Sequence, residues 1–151
     1  MYGKKRYDKV FTRSIGTYFV FGHRKIFLRS SWELIAAIYF CLRGWPINYE
    51  DTRVEYDNHT YLSDFRFGKS IWEIKGWIDN RAKLGQKAFE NNGYKFRFVS
   101  RNEIEKMKIF IISKGVNIIS ILGKAYDCKR NGAIFRFDAT EYLPETLNMA
   151  R

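Results

Sequence analysis

Apolar and polar residues alternate along the chain in short, strand-sized blocks, broken by three stretches with helical spacing. Tyr18-Phe19-Val20-Phe21 and Lys25-Ile26-Phe27-Leu28, separated by Gly22-His23, predict a β-hairpin. Residues 1–14 ahead of it are basic and polar with scattered apolar positions, and read as an arm or an edge strand. Ser30 followed by Glu33 forms a capping box. The helix it opens carries Leu34, Ala37, Ile38, Cys41 and Leu42 as its apolar stripe and stops at Gly44 and Pro46. Ile47 to Tyr56 reads as extended, with Tyr49 and Val54 inward, and Asp57-Asn58-His59 as a turn. Tyr61–Phe67 and Ser70–Gly76 predict two strands joined at Gly68-Lys69. Asp79 caps a second helix through Ala82, Leu84, Ala88 and Phe89, which Asn91-Asn92-Gly93 stops. Tyr94–Val99 alternates aromatic and basic residues as a strand. Ser100 or Asn102 caps a third helix with Ile104, Met107, Ile111 and Ile112, ending at Gly115. Asn131-Gly132 predicts the turn of a last hairpin, Tyr126–Phe137.

This order calls for an α/β fold, a mixed sheet with helices packed on it. A length of 151 residues fits one domain able to bury a core, and a 46% apolar fraction argues against disorder. No apolar run reaches the ~18 residues that span a bilayer, and no apolar stretch follows the basic N-terminus as in a secretion signal. Cys41 and Cys128 stand too far apart for a disulfide framework or zinc site, so a reducing, cytoplasmic setting is expected.

Charge then narrows the partner. Lys and Arg number 27 against 16 Asp and Glu, a net +11, which points to a polyanion and above all to nucleic acid. The basic residues are spread along the chain rather than gathered on one amphipathic helix, which argues against a membrane surface.

The most informative segment holds Asp64 and, nine residues later, Glu73-Ile74-Lys75-Gly76. On a strand, positions i and i+2 share a face, so Glu73 and Lys75 project together while Trp72 and Ile74 face the other layer. If the Gly68-Lys69 turn pairs the strands, Asp64 lies beside Glu73. Two carboxylates in that relation suit a hard divalent cation, with the Ile74 carbonyl as a further oxygen ligand. Such a cation polarises a phosphodiester and lowers the pKa of a bound water, while an ammonium positions the nucleophile. The plain alternative is an ion pair on a solvated sheet face, but adjacent carboxylates repel unless a cation or proton intervenes. Asp127-Cys128-Lys129 is the one other acidic residue with Lys two positions on, and it lacks a paired upstream acid.

Glu33 is either the capping-box acceptor or a third metal-site acid delivered from the first helix. Arg29 and Ser31 beside it are candidate phosphate contacts at that helix start. Lys83, Gln86 and Lys87 line the catalytic cleft or form a solvated helix face. Lys129, Arg130 and Arg136 make a basic ribbon for the major groove, or an edge hairpin blunted by charge. His23 and His59 have no partner at metal or triad spacing and fit turns, and no phosphate-binding glycine loop implies a nucleotide cofactor.

The strings Arg29-Ser30-Ser31-Trp32-Glu33, Ser63-Asp64-Phe65 and Trp72-Glu73-Ile74-Lys75-Gly76 resemble the PD-(D/E)XK nuclease family, especially small phage and intron-encoded homing endonucleases. Asn58-His59-Thr60-Tyr61 with the Asp-Phe pair also resembles phage Holliday-junction resolvases. Ser63 stands where the family name has Pro. The resemblance covers roughly half of the chain, from Arg29 to Val99. It implies a restriction-endonuclease-like mixed sheet flanked by helices, with a core at about residues 29–114, and with residues 1–28 and 115–151 as added arm, hairpins and tail. It implies a Mg²⁺-dependent DNA endonuclease, with Mn²⁺ able to substitute. Asp64, Glu73 and Lys75 form the catalytic set and Glu33 is the helix-borne acid. A site-specific homing enzyme on double-stranded DNA is the first expectation. A junction resolvase comes next, then a restriction or repair nuclease. A non-catalytic DNA-binding protein on the same fold is the contrasting reading. One active site per chain suggests a homodimer or a larger symmetric assembly.

Overall fold

A computed structural model describes residues 14–144. Chain order is β1 (Thr17–Phe21), β2 (Arg24–Leu28), α1 (Ser31–Leu42), β3 (Arg53–Tyr56), β4 (His59–Leu62), β5 (Phe65–Phe67) and β6 (Ser70–Ile74). Then come α2 (Asn80–Asn91), β7 (Lys95–Val99), α3 (Arg101–Ser113), α4 (Ile118–Arg130), β8 (Phe135–Asp138) and α5 (Ala139–Tyr142). The class is mixed α/β, as expected, but the strands form three small sheets instead of one. The chain groups into two compact units. One runs to Gly44 and resumes at Lys106, and the other is Trp45–Glu105. The arm anticipated at residues 1–14 lies almost wholly outside the described residues. No single helix among those described is long and apolar enough to cross a membrane.

In the first unit the hairpin forms as read, with Gly22 at φ 59° in its turn. β1 is central, antiparallel to β2 and parallel to β8. Its inward residues Thr17, Phe19 and Phe21 are buried, and Phe19 stacks on Phe137 of β8 with ring centroids 5.1 Å apart. Ser30 caps α1, its hydroxyl accepting from the Glu33 N–H at 3.2 Å. The helix is buried on nearly every side rather than along one stripe, since Ile35, Ala36 and Phe40 join the expected residues in the core. Burial pushes the Cys41 thiol up to about 12, so it packs as a small apolar group.

The C-terminal hairpin does not form. Residues 118–130 are helix, capped by Asn117, whose side chain accepts from the Ser120 N–H at 3.1 Å. Ile118, Ile121 and Ala125 give this helix its buried face. Asn131-Gly132, read as a hairpin turn, instead ends the helix: Ala133 N–H donates to the Cys128 carbonyl and Gly132 N–H to that of Lys129, with Gly132 at φ 74°. Left-handed backbone serves both motifs, so the dipeptide alone does not separate them. Asp127 and Lys129 consequently sit on a helix, where positions i and i+2 do not share a face.

In the second unit β6 is central, antiparallel to β5 and parallel to β7. The expected strand at 61–67 divides. β4 pairs with β3 across the Asp57-Asn58 turn, both residues having positive φ (45° and 65°), while β5 pairs with β6. Ser63 and Asp64 are the break between them. Val54, Tyr61, Ile71, Ala88 and Phe89 form a core with Tyr56, Tyr94 and Phe96 against it.

The cap that replaces the expected hairpin is open to test. Asn117→Ala should cost about 1 kcal/mol in urea unfolding followed by helical circular dichroism. An unchanged midpoint would argue against this helix start.

Candidate functional site

The strand break positions Asp64. Register sets Phe65 opposite Trp72, so Asp64 falls opposite Glu73 at the open end of the β5–β6 pair. Asp64 N–H donates to Glu73 Oε1 at 3.0 Å. In return Asp64 Oδ2 accepts from the Ile74 N–H at 2.7 Å. The two acids thus replace the regular ladder bonds with side-chain bonds, each carboxylate seated on the other strand's backbone. The segment 48–52 braces the break from the opposite side. Glu50 N–H donates to the Asp64 carbonyl at 2.8 Å, and Ser63 N–H to the Thr52 carbonyl at 2.9 Å. Glu50 takes φ 51° there, a left-handed backbone uncommon for a residue with a side chain. Arg66 clamps the same segment: its guanidinium donates to both oxygens of Asp51, the shortest contact being 2.7 Å, and holds that carboxyl below its usual range.

Glu73 is only 4% exposed. Its second oxygen, Oε2, accepts from the Tyr61 hydroxyl at 2.9 Å. Burial, then the Glu73 and Asp64 charges, push the Tyr61 phenol up, with Arg81 opposing, so it stays a neutral donor. From sequence Tyr61 entered only within the Asn58-His59-Thr60-Tyr61 string, with no role of its own. Its signal was its place three residues before Asp64 on the inward face of a strand. Helix α2 fixes its ring, because a Cβ at Gly85 would meet Tyr61 Cδ2 at 2.5 Å, and Phe89 meets the ring edge-on. Asp79 caps that helix as expected, accepting from the Ala82 N–H at 2.8 Å.

No protein-family model, curated protein or solved structure matches this chain.

Lys75 follows β6, half-buried and two positions beyond Glu73, its N–H donating to the Val99 carbonyl at 3.2 Å. Trp72 faces the opposite layer, as expected, against Trp45 and Phe67 with Arg97 over its ring at 4.2 Å. Trp77, two residues past Lys75, is 78% exposed. Lys83 and Lys87 are exposed on α2 and Gln86 half-buried. Lys87 lines an open cleft with Glu55, Tyr56 and Asp57, while Gln86 donates weakly to Glu90 at 3.5 Å.

Glu33 belongs to the other unit. Its Oε1 accepts from the Arg29 N–H at 2.7 Å, one residue ahead of the capping-box partner. Arg29 is exposed, but Ser31 is buried with its hydroxyl unpaired, which withdraws it from any surface a phosphate would meet. The basic ribbon is also corrected. Lys129 and Arg130 end a helix, Lys129 donating to the Ser14 carbonyl at 2.5 Å and Arg130 pairing with Asp127, whereas Arg136 lies on β8.

Among the described residues, no three His, Cys, Asp or Glu side chains gather into a metal-holding group. Asp64 and Glu73 with the Ile74 carbonyl nevertheless form a hard-oxygen donor set. A carboxylate offers about four lone-pair sites, so the bonds above leave acceptor capacity on both acids. Tyr61→Phe should lower stability by about 1–3 kcal/mol at neutral pH, because a buried carboxylate loses a donor. Urea unfolding monitored by circular dichroism reads this, and no shift would mean that the bond is not formed.

Proposed function

We propose that this protein is a divalent-metal-dependent DNA endonuclease of the PD-(D/E)XK type, its second unit serving as a restriction-endonuclease-like core. One observation carries the reading. Asp64, in the break just before β5, and Glu73 of β6 are locked opposite one another, Glu73 accepting from the Asp64 N–H and Asp64 from the Ile74 N–H, where a purely structural sheet would avoid adjacent acids. The oxygen donors fit Mg²⁺ or Mn²⁺, which Asp64, Glu73 and the Ile74 carbonyl would hold. When bound, such an ion supplies Lewis-acid polarisation of the phosphate and an acidified water. Tyr61 keeps the Glu73 carboxylate in one orientation. Lys75, two positions past Glu73, would bring a positive charge to the same face, suited to orienting the nucleophilic water and offsetting charge that builds on phosphate. Glu33 enters through the resemblance alone, since its observed role is to close the first turn of α1.

The +11 charge supplies affinity for the DNA backbone, and Lys83 and Trp77 are exposed in the same unit as the acids. Within the nuclease class we favour a site-specific homing enzyme, with a Holliday-junction resolvase as the alternative. Cutting two strands with one site per chain calls for a homodimer.

Plasmid and branched-DNA cleavage with Mg²⁺ tests the reading. Wild type should leave 5′-phosphate ends, and Glu73→Gln and Lys75→Ala should each slow cutting by about 10²-fold or more while binding persists. Preference for branched over linear DNA would favour the resolvase. Wild type that binds but cuts no linear, supercoiled or branched substrate would sink the enzyme reading.

A further inference from the structure

A second feature lies in the other unit, on the outward face of the β2–β1–β8 sheet. Tyr18 of central strand β1 is opposite Phe27 of β2 and Arg136 of β8, so the three share one face. Val20, one step along, is opposite Lys25 and Asp138 on that same face. Tyr18 and Phe27 are 36% and 37% exposed, with centroids 5.2 Å apart at an interplanar angle of 59°. Lys25 Nζ stands 5.0 Å from the Tyr18 centroid. Arg136 is 59% exposed and sits 3.7 Å from Asp138, whose carboxylate partly offsets it on this face.

The inward face of the same strands is filled with Phe19, Phe21 and Phe137, so these outward rings are not needed for the core. They are also held in place. A Cβ at Gly16 would meet Phe27 Cζ at 2.6 Å, so the ring lies across bare backbone at the sheet surface. Scattered exposed apolar residues are ordinary. Two touching aromatics fixed on a sheet, with a lysine over one and an arginine beside it, are a different arrangement. Bases stack on such rings without regard to sequence, while the cations meet the accompanying phosphates.

We propose that this face is a binding site for single-stranded nucleic acid, in which Tyr18 and Phe27 stack unpaired bases and Lys25 and Arg136 contact the flanking phosphates. An aromatic patch alone would equally suit a protein partner. The cations on this face, in a chain of net charge +11, select a polyanion. The site is independent of the carboxylate pair in the other unit and does not rest on the nuclease reading.

Fluorescence anisotropy with labelled oligo(dT), oligo(U) and a duplex of equal length tests it, using full-length Glu73→Gln protein so that cleavage does not intrude. The double variant Tyr18→Ser/Phe27→Ser should weaken oligo(dT) or oligo(U) binding by about tenfold per ring lost, and duplex binding much less. Tyr18→Phe/Phe27→Tyr should retain the affinity. Comparing the two oligonucleotides tells DNA from RNA as the source of the bases. Ultraviolet crosslinking to wild type, mapped by mass spectrometry, should place adducts at Tyr18 or Phe27 and guards against a variant that merely misfolds. The proposal is overturned if the folded double variant binds the single strands as tightly as wild type, if duplex binding falls in parallel, or if crosslinks avoid both residues. It is likewise overturned if the ring substitutions abolish self-association in sedimentation while single-strand affinity is unchanged, since the face would then seat a second copy.

Discussion

A carboxylate removed from water is costly unless donors surround it, and Glu73 is such a group at the centre of its sheet. The second unit answers that cost with two donors from a neighbouring segment, the Tyr61 hydroxyl and the Asp64 N–H. Both bonds require the chain between them, 61–64, to run beside the end of β6. That requirement separates β4 from β5 and leaves Ser63 and Asp64 outside both strands. The Asp64 carboxylate then closes the circuit by accepting from Ile74 N–H. Breaking any one of these bonds exposes another partner to the same cost, so the arrangement is held as a unit.

The surrounding elements follow from that circuit. Tyr61 can donate only if its ring is fixed, and α2 fixes it by presenting Gly85, where no Cβ stands in the way. The Asp79 cap sets where α2 begins, and so which residue faces the ring. Segment 48–52 satisfies the backbone groups that the strand break frees, at the expense of a left-handed Glu50. An ordinary sheet would have no use for this apparatus. The proposed cation site, which needs two carboxyl groups at a fixed spacing, would.

Much of this was legible in sequence because its signals are local. The Gly22-His23 hairpin, the Ser30 and Asp79 caps, and the juxtaposition of Asp64 with Glu73 across a short turn all depend on residues a few positions apart. The division of 61–67 was not legible, since Tyr61-Leu62 and Phe65-Arg66-Phe67 read as one strand and the exchange of partners depends on the distant segment 48–52. The hydrogen-bonding role of Tyr61 was not legible for the related reason that an inward aromatic signals core before it signals a hydrogen bond. The tail was misread because left-handed Gly132 suits a helix end as well as a hairpin, and Ile118, Ile121 and Ala125 decide for the helix. That change removes Lys129 and Arg130 from the expected ribbon and brings Arg136 beside Tyr18.

The central claim is that Asp64 and Glu73 are kept together to seat a divalent cation. Isothermal titration of Mn²⁺ into wild type and Asp64→Asn measures this most directly, because the asparagine oxygen can still accept from Ile74 N–H and preserve the fold. Saturable binding to wild type, weakened tenfold or more in the variant, is the predicted result. Wild type that takes up no Mn²⁺ with or without DNA, or a variant that binds it equally well, would contradict the account.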